Sequence, residues 1–357
     1  MRWVFFLALV LLPLTIHAQG IRQVISLDSE YRNNETMVWT PSIQKCWDEM
    51  SIFYKLQNPT FEPPNLIDKE LNAFQWSYDT TVPKASNFIM LAGTGEEYWR
   101  QANQLLQKHF GNSIPPFAIE DFGGREPDLG LVLVNVLKHS LTFNTQLSPI
   151  TPPLIFRTRL PTQPFKKVES FGTLGDKRKE VAGQFEVIAY DPDKQRMGIV
   201  LEGKSSDEQV ILISDPEIQT PQQAITTANR WLAMKKQNSE YQRYYNSPTD
   251  TIQIPRVEFS SRINFRPLLK GKIDRRIEIA AAVQHVELRL DRSGAAMVSK
   301  TFIVAPNFLS SSDSLVKQTQ NRRFVFDRPF TLLIKREDAT YPFFLCRVDI
   351  GALVPVE

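Results

Sequence analysis

The chain has 357 residues, 42% hydrophobic and 23% charged, a composition that excludes a disordered chain and fits an ordinary folded one. A formal net charge of +3 is too small to argue for nucleic acid as a partner. With only two cysteines, Cys46 and Cys346, the chain is not a disulfide-stapled mini-protein, and a hydrophobic core must carry its stability.

Met1-Arg2 precede an apolar run over residues 3–16, followed by His17-Ala18-Gln19-Gly20. A short basic start, a run too short to span a bilayer and small residues after it describe a secretory signal peptide over residues 1–18. No other segment approaches spanning length. The mature chain is therefore expected to be secreted and extracellular, a monomer folding as a single domain over 19–357. Export makes the sequon Asn34-Glu35-Thr36 usable for glycosylation. In an oxidising compartment Cys46 and Cys346 could pair across nearly the whole chain, or stand as two buried thiols.

Pro41-Ser42-Ile43 suits the start of a helix running to about Leu56. The Pro- and Asn-rich stretch 58–65 reads as loop, and 87–91 as a short strand. Thr94-Gly95-Glu96-Glu97 has the spacing of a capping box for a helix to about Gly111, with Tyr98, Ala102, Leu105, Leu106 and Phe110 on one face. Residues 129–137 are almost continuously apolar, as in a central strand buried on both faces. A rigid connector, 149–153, precedes strands at 184–190, 197–201 and 209–214. Thr220-Pro221 then opens a second helix that buries Ile225, Ala228, Trp231 and Leu232. Strands at 251–259, 278–291, 324–335 and 343–348 complete the chain. Few helices and many strands predict an α+β fold with large, mainly antiparallel sheets.

One stretch does not end where a strand should. Val286, Leu288 and Leu290 alternate with Glu287, Arg289 and Asp291, the period of a half-buried strand. Ser293-Gly294 signals a turn, yet small, mostly uncharged residues follow to Thr301. If they re-entered a sheet, Ala295, Met297, Ser299 and Thr301 would share the core face and Ala296, Val298 and Lys300 the solvent face. Nothing else marks chemistry: His109, His139 and His285 lack metal-ligand spacing, Gly93-Thr94-Gly95 lacks the further glycine of a nucleotide loop, and no catalytic serine or cysteine signature is present. No enzyme activity, metal or cofactor is expected.

The C-terminal segment RRFVFDRPFTLLIKREDATYPFFLCRV, residues 322–348, closely resembles the C-terminal hairpin of serpins, with no gap from Phe330 to Cys346. Cys346 stands where serpins usually carry glycine. AVQHVELRLDRSGAAM, residues 282–297, resembles the serpin strand that leads into the reactive-centre loop, with Gly294 in the place of the hinge glycine. Residues 254–259 with Leu268-Leu269, 131–137 and Pro41-Ser42-Ile43 are similar to further serpin elements. The resemblance implies a serpin-like fold with an exposed reactive-centre-type loop and no cofactor. It also implies the family's role as a serine protease inhibitor: a protease cleaves the loop, the loop inserts as an extra strand, and the trapped protease is distorted. The hinge and loop would then be Asp291, Arg292, Ser293, Gly294, Ala295, Ala296, Met297, Val298, Ser299 and Thr301.

Several residues depart from that pattern. Arg292 replaces the hinge acid usual in inhibitory members. Gln284, with His285 beside it, stands where many serpins have a histidine. The connection 270–278 is short. Only residues 123–130 separate a strand end at 119–122 from the next strand, so the helix that covers the large sheet is expected to be missing. The loop after Gly294 is long: counting forward places the scissile bond at Phe308-Leu309, counting back from Phe330 places it at Lys317-Gln318. Two functions follow from these residues, a secreted inhibitor with weakened insertion, or a non-inhibitory serpin-fold binding or carrier protein. Lys177-Arg178-Lys179, Lys270-Gly271-Lys272 and Arg275-Arg276 could form a patch for a polyanion or be scattered solvated surface.

Overall fold

A computed structural model describes residues 20–356, apart from 83–86, 95–99, 109–130, 174–177, 205–206, 238–249, 266–267, 269–271, 280–281 and 304–321 and the single residues 75, 77, 102, 106, 160, 276 and 301. Its centre is a pair of sheets. The first has seven strands in the order Ile21–Val24, Thr36–Trp39, Phe344–Val348, Phe330–Arg336, Glu208–Ser214, Arg196–Glu202 and Phe185–Asp191. Its middle strands are buried along almost their whole length, which is why they read as continuous apolar runs. Val210, Leu212, Leu332 and Ile334 face the core between the sheets, while Ile211, Ile213, Leu333 and Leu345 face the opposite way. The helix Pro221–Gln237 covers that outer face with Ala224, Ile225, Ala228 and Trp231.

The second large sheet holds, in order, Val257–Asn264, Val283–Asp291, Gly294–Lys300, Leu131–Thr142 and Asn87–Thr94, all antiparallel to their neighbours, with a two-residue piece at Phe302–Ile303. The helix Ser42–Tyr54 is buried through Ser42, Ile43, Gln44, Trp47 and Met50. A smaller sheet sets Arg323–Val325 parallel to Thr251–Pro255, followed by Ser170–Gly172 and Ser148–Pro149. The α+β expectation with large, mainly antiparallel sheets describes this molecule.

Sequence and structure differ where one apolar run serves two sheets. Residues 251–259 are two strands, one in the small sheet and one in the large, broken at Arg256, whose N–H donates to Glu169 O at 2.8 Å. The run 324–335 divides likewise at Asp327-Arg328-Pro329, where proline offers no ladder donor. The 278–291 run also splits, into Ile277–Glu278 and Val283–Asp291. Within the expected loop 58–65, Phe61–Glu62 pairs with Lys272–Ile273, and Asn65 then caps a helix, Leu66–Ala73, by accepting from Ile67 N. Thr94 ends a strand rather than opening a helix. The rest of its capping box, the 109–130 segment on which the missing covering helix turned, and the 1–18 signal peptide lie outside the described residues.

Candidate functional site

The segment that raised the question in the sequence lies inside the large sheet. Val283–Asp291 turns back through Arg292-Ser293, and Gly294–Lys300 runs antiparallel to it, with Asp291 opposite Gly294, Leu288 opposite Met297 and Val286 opposite Ser299. On its other side the same strand pairs with Leu131–Thr142, Gly294 opposite Thr142 and Ser299 opposite Leu137. It therefore has a ladder on both edges. Its core face is the one the period-two pattern assigns: Ala295 and Met297 are 1% exposed and Ser299 0%, whereas Ala296 is exposed and Val298 half-buried.

The turn is held by one carboxylate. Asp291 accepts from Ser293 N at 2.7 Å and from Arg289 Nε at 2.6 Å. Burial alone would raise its pKa, but these two donors outweigh burial and hold the carboxyl below the usual carboxylate range. Phe143 N and Leu147 N donate to the carbonyls of Ser293 and Arg292, both at 2.9 Å, docking the turn against the end of the neighbouring strand. Gly294 has φ +155°, and a Cβ there would lie 2.1 Å from Leu141 O, so no other residue fits. Arg292 and Ser293 project into solvent, where an arginine is tolerated.

Ser299 meets a buried polar seat. Its Oγ lies 3.1 Å from Ser42 Oγ, 3.4 Å from Thr40 Oγ1 and 3.4 Å from Gln284 Nε2, while Gln284 Nε2 donates to Thr40 Oγ1 at 2.6 Å. All four side chains are buried. Pro41-Ser42 thus supplies a helix start and also a hydroxyl for the inserted strand. Gln284, read from sequence only as a departure, supplies the amide donor. His285 faces away, to Ser260 Oγ at 2.7 Å and Glu287 at 3.1 Å.

The far end of the loop is anchored separately. Arg322 is paired inside the protein with Asp250, Nη2 to Oδ2 at 2.6 Å and Nε to Oδ1 at 3.1 Å, and its carbonyl accepts from Thr251 N. Phe324 and Phe326 beyond it are fully buried.

No family model matches this chain, and no curated protein matches it by sequence. Solved structures do. A cleaved Serpin 42Da matches with TM-score 0.51 at 15% identity over 88% of this chain and 92% of its own. A loop-inserted structure of a cleaved ovalbumin mutant matches with TM-score 0.51 at 13% identity over 89% of this chain and 94% of its own. The chain has the serpin fold. At such identity the likeness speaks for the fold alone, and the arrangement of the hinge is read from the residues themselves.

Against the serpin-like expectation, the loop is placed differently. It was expected outside the sheet, but its first seven residues, Gly294–Lys300, are a strand within it, because their core-facing set is small or apolar and both neighbouring edges are free to pair. Thr301 and both candidate scissile bonds, Phe308-Leu309 and Lys317-Gln318, lie outside the described residues. The Cys46–Cys346 disulfide does not form: both thiols are free, Cys346 packed in the core between the sheets and Cys46 half-buried on the 42–54 helix. Burial pushes both thiols far above their ordinary pKa. Asn34 is half-buried, its Oδ1 accepting from Arg159 N, and Thr36 of the sequon is fully buried. Of the basic clusters, Arg178 donates to Asp250 O and Thr251 Oγ1, Arg275 pairs with Glu62, and Lys272 is exposed. Lys177, Lys270 and Arg276 lie outside the described residues. One pair gave no signal in the sequence: His139 Nε2 lies 2.8 Å from Glu208 Oε2, both buried, and joins the two large sheets. Only the fold brings them together.

Proposed function

We propose that this chain is a secreted, non-catalytic serpin-fold binding protein that does not trap proteases, because its own uncleaved hinge strand already fills the insertion slot. The observation that carries this reading is the Gly294–Lys300 strand, hydrogen-bonded on both edges while Arg322 remains docked on Asp250. Trapping by insertion draws on the free energy released when a ribbon enters an open slot. A slot whose upper half is occupied has less to release.

The length of the loop supports the same reading. Seven inserted residues take up about 23 Å, and the ribbon must return by a similar distance to reach Arg322. The segment 304–321 can extend to about 60 Å, so insertion need not pull the 323–325 strand from its sheet. The forward and backward counts for the scissile bond, Phe308 against Lys317, differ by nine residues, or about 30 Å of ribbon. That surplus is what an uncleaved, self-inserted loop requires.

The test is incubation of the purified protein with trypsin-like and chymotrypsin-like proteases, followed by denaturing gels and melting curves. Cleavage between Lys300 and Arg322 should give no detergent-stable adduct and change Tm by only a few degrees. A covalent adduct, or a large rise in Tm on cleavage, would restore the inhibitory function.

A further inference from the structure

Arg347 is a buried cation without a direct ion pair among the described residues. On the Phe344–Val348 strand alternate residues face opposite layers: Phe344, Cys346 and Val348 join the core between the sheets, Leu345 the layer on the other side, and Arg347 follows Leu345 by the strand's period. Arg347 is 7% exposed, and its guanidinium carbon lies 5.1 Å from the centre of the Tyr31 ring. Its Nη1 is enclosed and has no hydrogen-bond partner among the described residues. Among them, too, no carboxylate lies within ion-pair distance of it.

The surrounding acids are already engaged. Asp349 lines the same cleft, but its Oδ1 accepts from Ile350 N at 2.7 Å and its Oδ2 from Asn34 N at 3.1 Å. Burial raises its pKa, against the opposing pull of these two donors and of Arg347. Glu35 is held by Arg22 at 2.7 Å, with Arg32 at 4.0 Å. Two more arginines, Arg32 and Arg159, are exposed and line, together with Arg347, Tyr31 and Asn33, a narrow cleft with about 10 Å³ of enclosed space, so an anion there would sit at its mouth. Arg159 is steered there by Nη1 donating to Asn33 Oδ1 at 2.7 Å. Three guanidinium groups thus face one carboxylate.

A buried guanidinium nitrogen with no hydrogen-bond partner is costly, and arginine is the cation that gives up its proton least readily. Guanidinium forks are matched to oxyanions, which accept two parallel hydrogen bonds from each. We propose that the cleft formed by Arg347, Arg159 and Arg32 binds a small tetrahedral oxyanion of the phosphate or sulfate type. The inner donor is Arg347, and the exposed pair closes over the anion. The site sits on the seven-stranded sheet and is independent of how the hinge strand is placed in the other.

The experiment uses the full chain, melted in sodium chloride and then in sodium phosphate or sodium sulfate at matched ionic strength. A saturable rise in Tm is expected with phosphate or sulfate. Arg159→Gln and Arg32→Gln, both exposed, should leave Tm in chloride unchanged and each weaken the half-saturating concentration about tenfold, one charge-assisted contact apiece. Glycerol phosphate beside inorganic phosphate separates the two sources of the group: tighter binding of the ester assigns the site to a phosphorylated ligand, equal or weaker binding to the free ion. Absence of a saturable rise, or a rise identical in wild type and both variants, as general exclusion of these salts from protein surface produces, would overturn the proposal.

Discussion

The two ends of the loop are both β-strands, yet they are built from opposite materials. At the hinge end, Gly294–Lys300 places only one large side chain in the core, Met297, beside Ala295 and the hydroxyl of Ser299. At the far end, Phe324 and Phe326 are fully buried and Arg322 is locked to a fully buried Asp250. The hinge strand is held chiefly by backbone ladders and a shared polar seat, and the anchor strand by side-chain volume and an ion pair. A ribbon of small residues can enter or leave a sheet without tearing a core, whereas a strand pinned by aromatic rings cannot. The molecule is therefore fixed at Arg322 and exchangeable at Gly294.

The widest gap between the two ends should come from the ion pair. Asp250→Ala leaves Arg322 buried without its acid and should cost about 3–5 kcal/mol in global stability by urea unfolding. Next, Gly294→Ala forces a Cβ against Leu141 O and should cost about 3 kcal/mol or expel the strand; rapid hydrogen exchange at the Ala295–Ser299 amides with the remainder protected would show expulsion. Met297→Ala should cost about 2–3 kcal/mol, expressed as local opening of the hairpin in the same exchange experiment. If Met297→Ala instead lowered protection evenly through both sheets, the hinge strand would be as integral as the anchor and the contrast would fail. Ser299→Ala removes one hydroxyl from the seat and should cost about 1 kcal/mol.

The smallest effect concerns pH. Asp291 has its pKa depressed in the folded state, so its contribution is complete above its unfolded value, about 3.9, and is lost as pH falls through the lower folded value. Exchange at the Ser293 amide should therefore accelerate, relative to the intrinsic rate, below about pH 4. Asp291→Asn should abolish that step while leaving the Arg322–Asp250 anchor unaffected.

Much of this was legible in the residues. The alternation of Val286, Leu288 and Leu290, continued as Ala295, Met297 and Ser299, assigned the buried face correctly because a strand's period is the same wherever the strand goes. The C-terminal hairpin from Phe330 to Val348 was legible because both faces of its strands are buried, leaving an unbroken apolar record. Residues 251–259 and 324–335 misled for the same reason: an apolar run records burial but not which sheet does the burying. Asn65 carried a cap signal that the neighbouring prolines hid. The seat around Ser299, the His139–Glu208 pair and the Arg347 cleft each join residues far apart in the chain, and no local pattern marks them.

The sequence by itself determined that these residues form antiparallel ribbons, which side chains on each ribbon shun water, and that the stretch after Leu290 could pair again. Only the tertiary structure decided that it does so between Val283–Asp291 and Leu131–Thr142. Periodicity is a property of neighbouring residues, whereas occupancy of a slot depends on whether two distant edges, at Val283–Asp291 and Leu131–Thr142, stand one strand apart and on whether the remaining ribbon is long enough to return to its anchor.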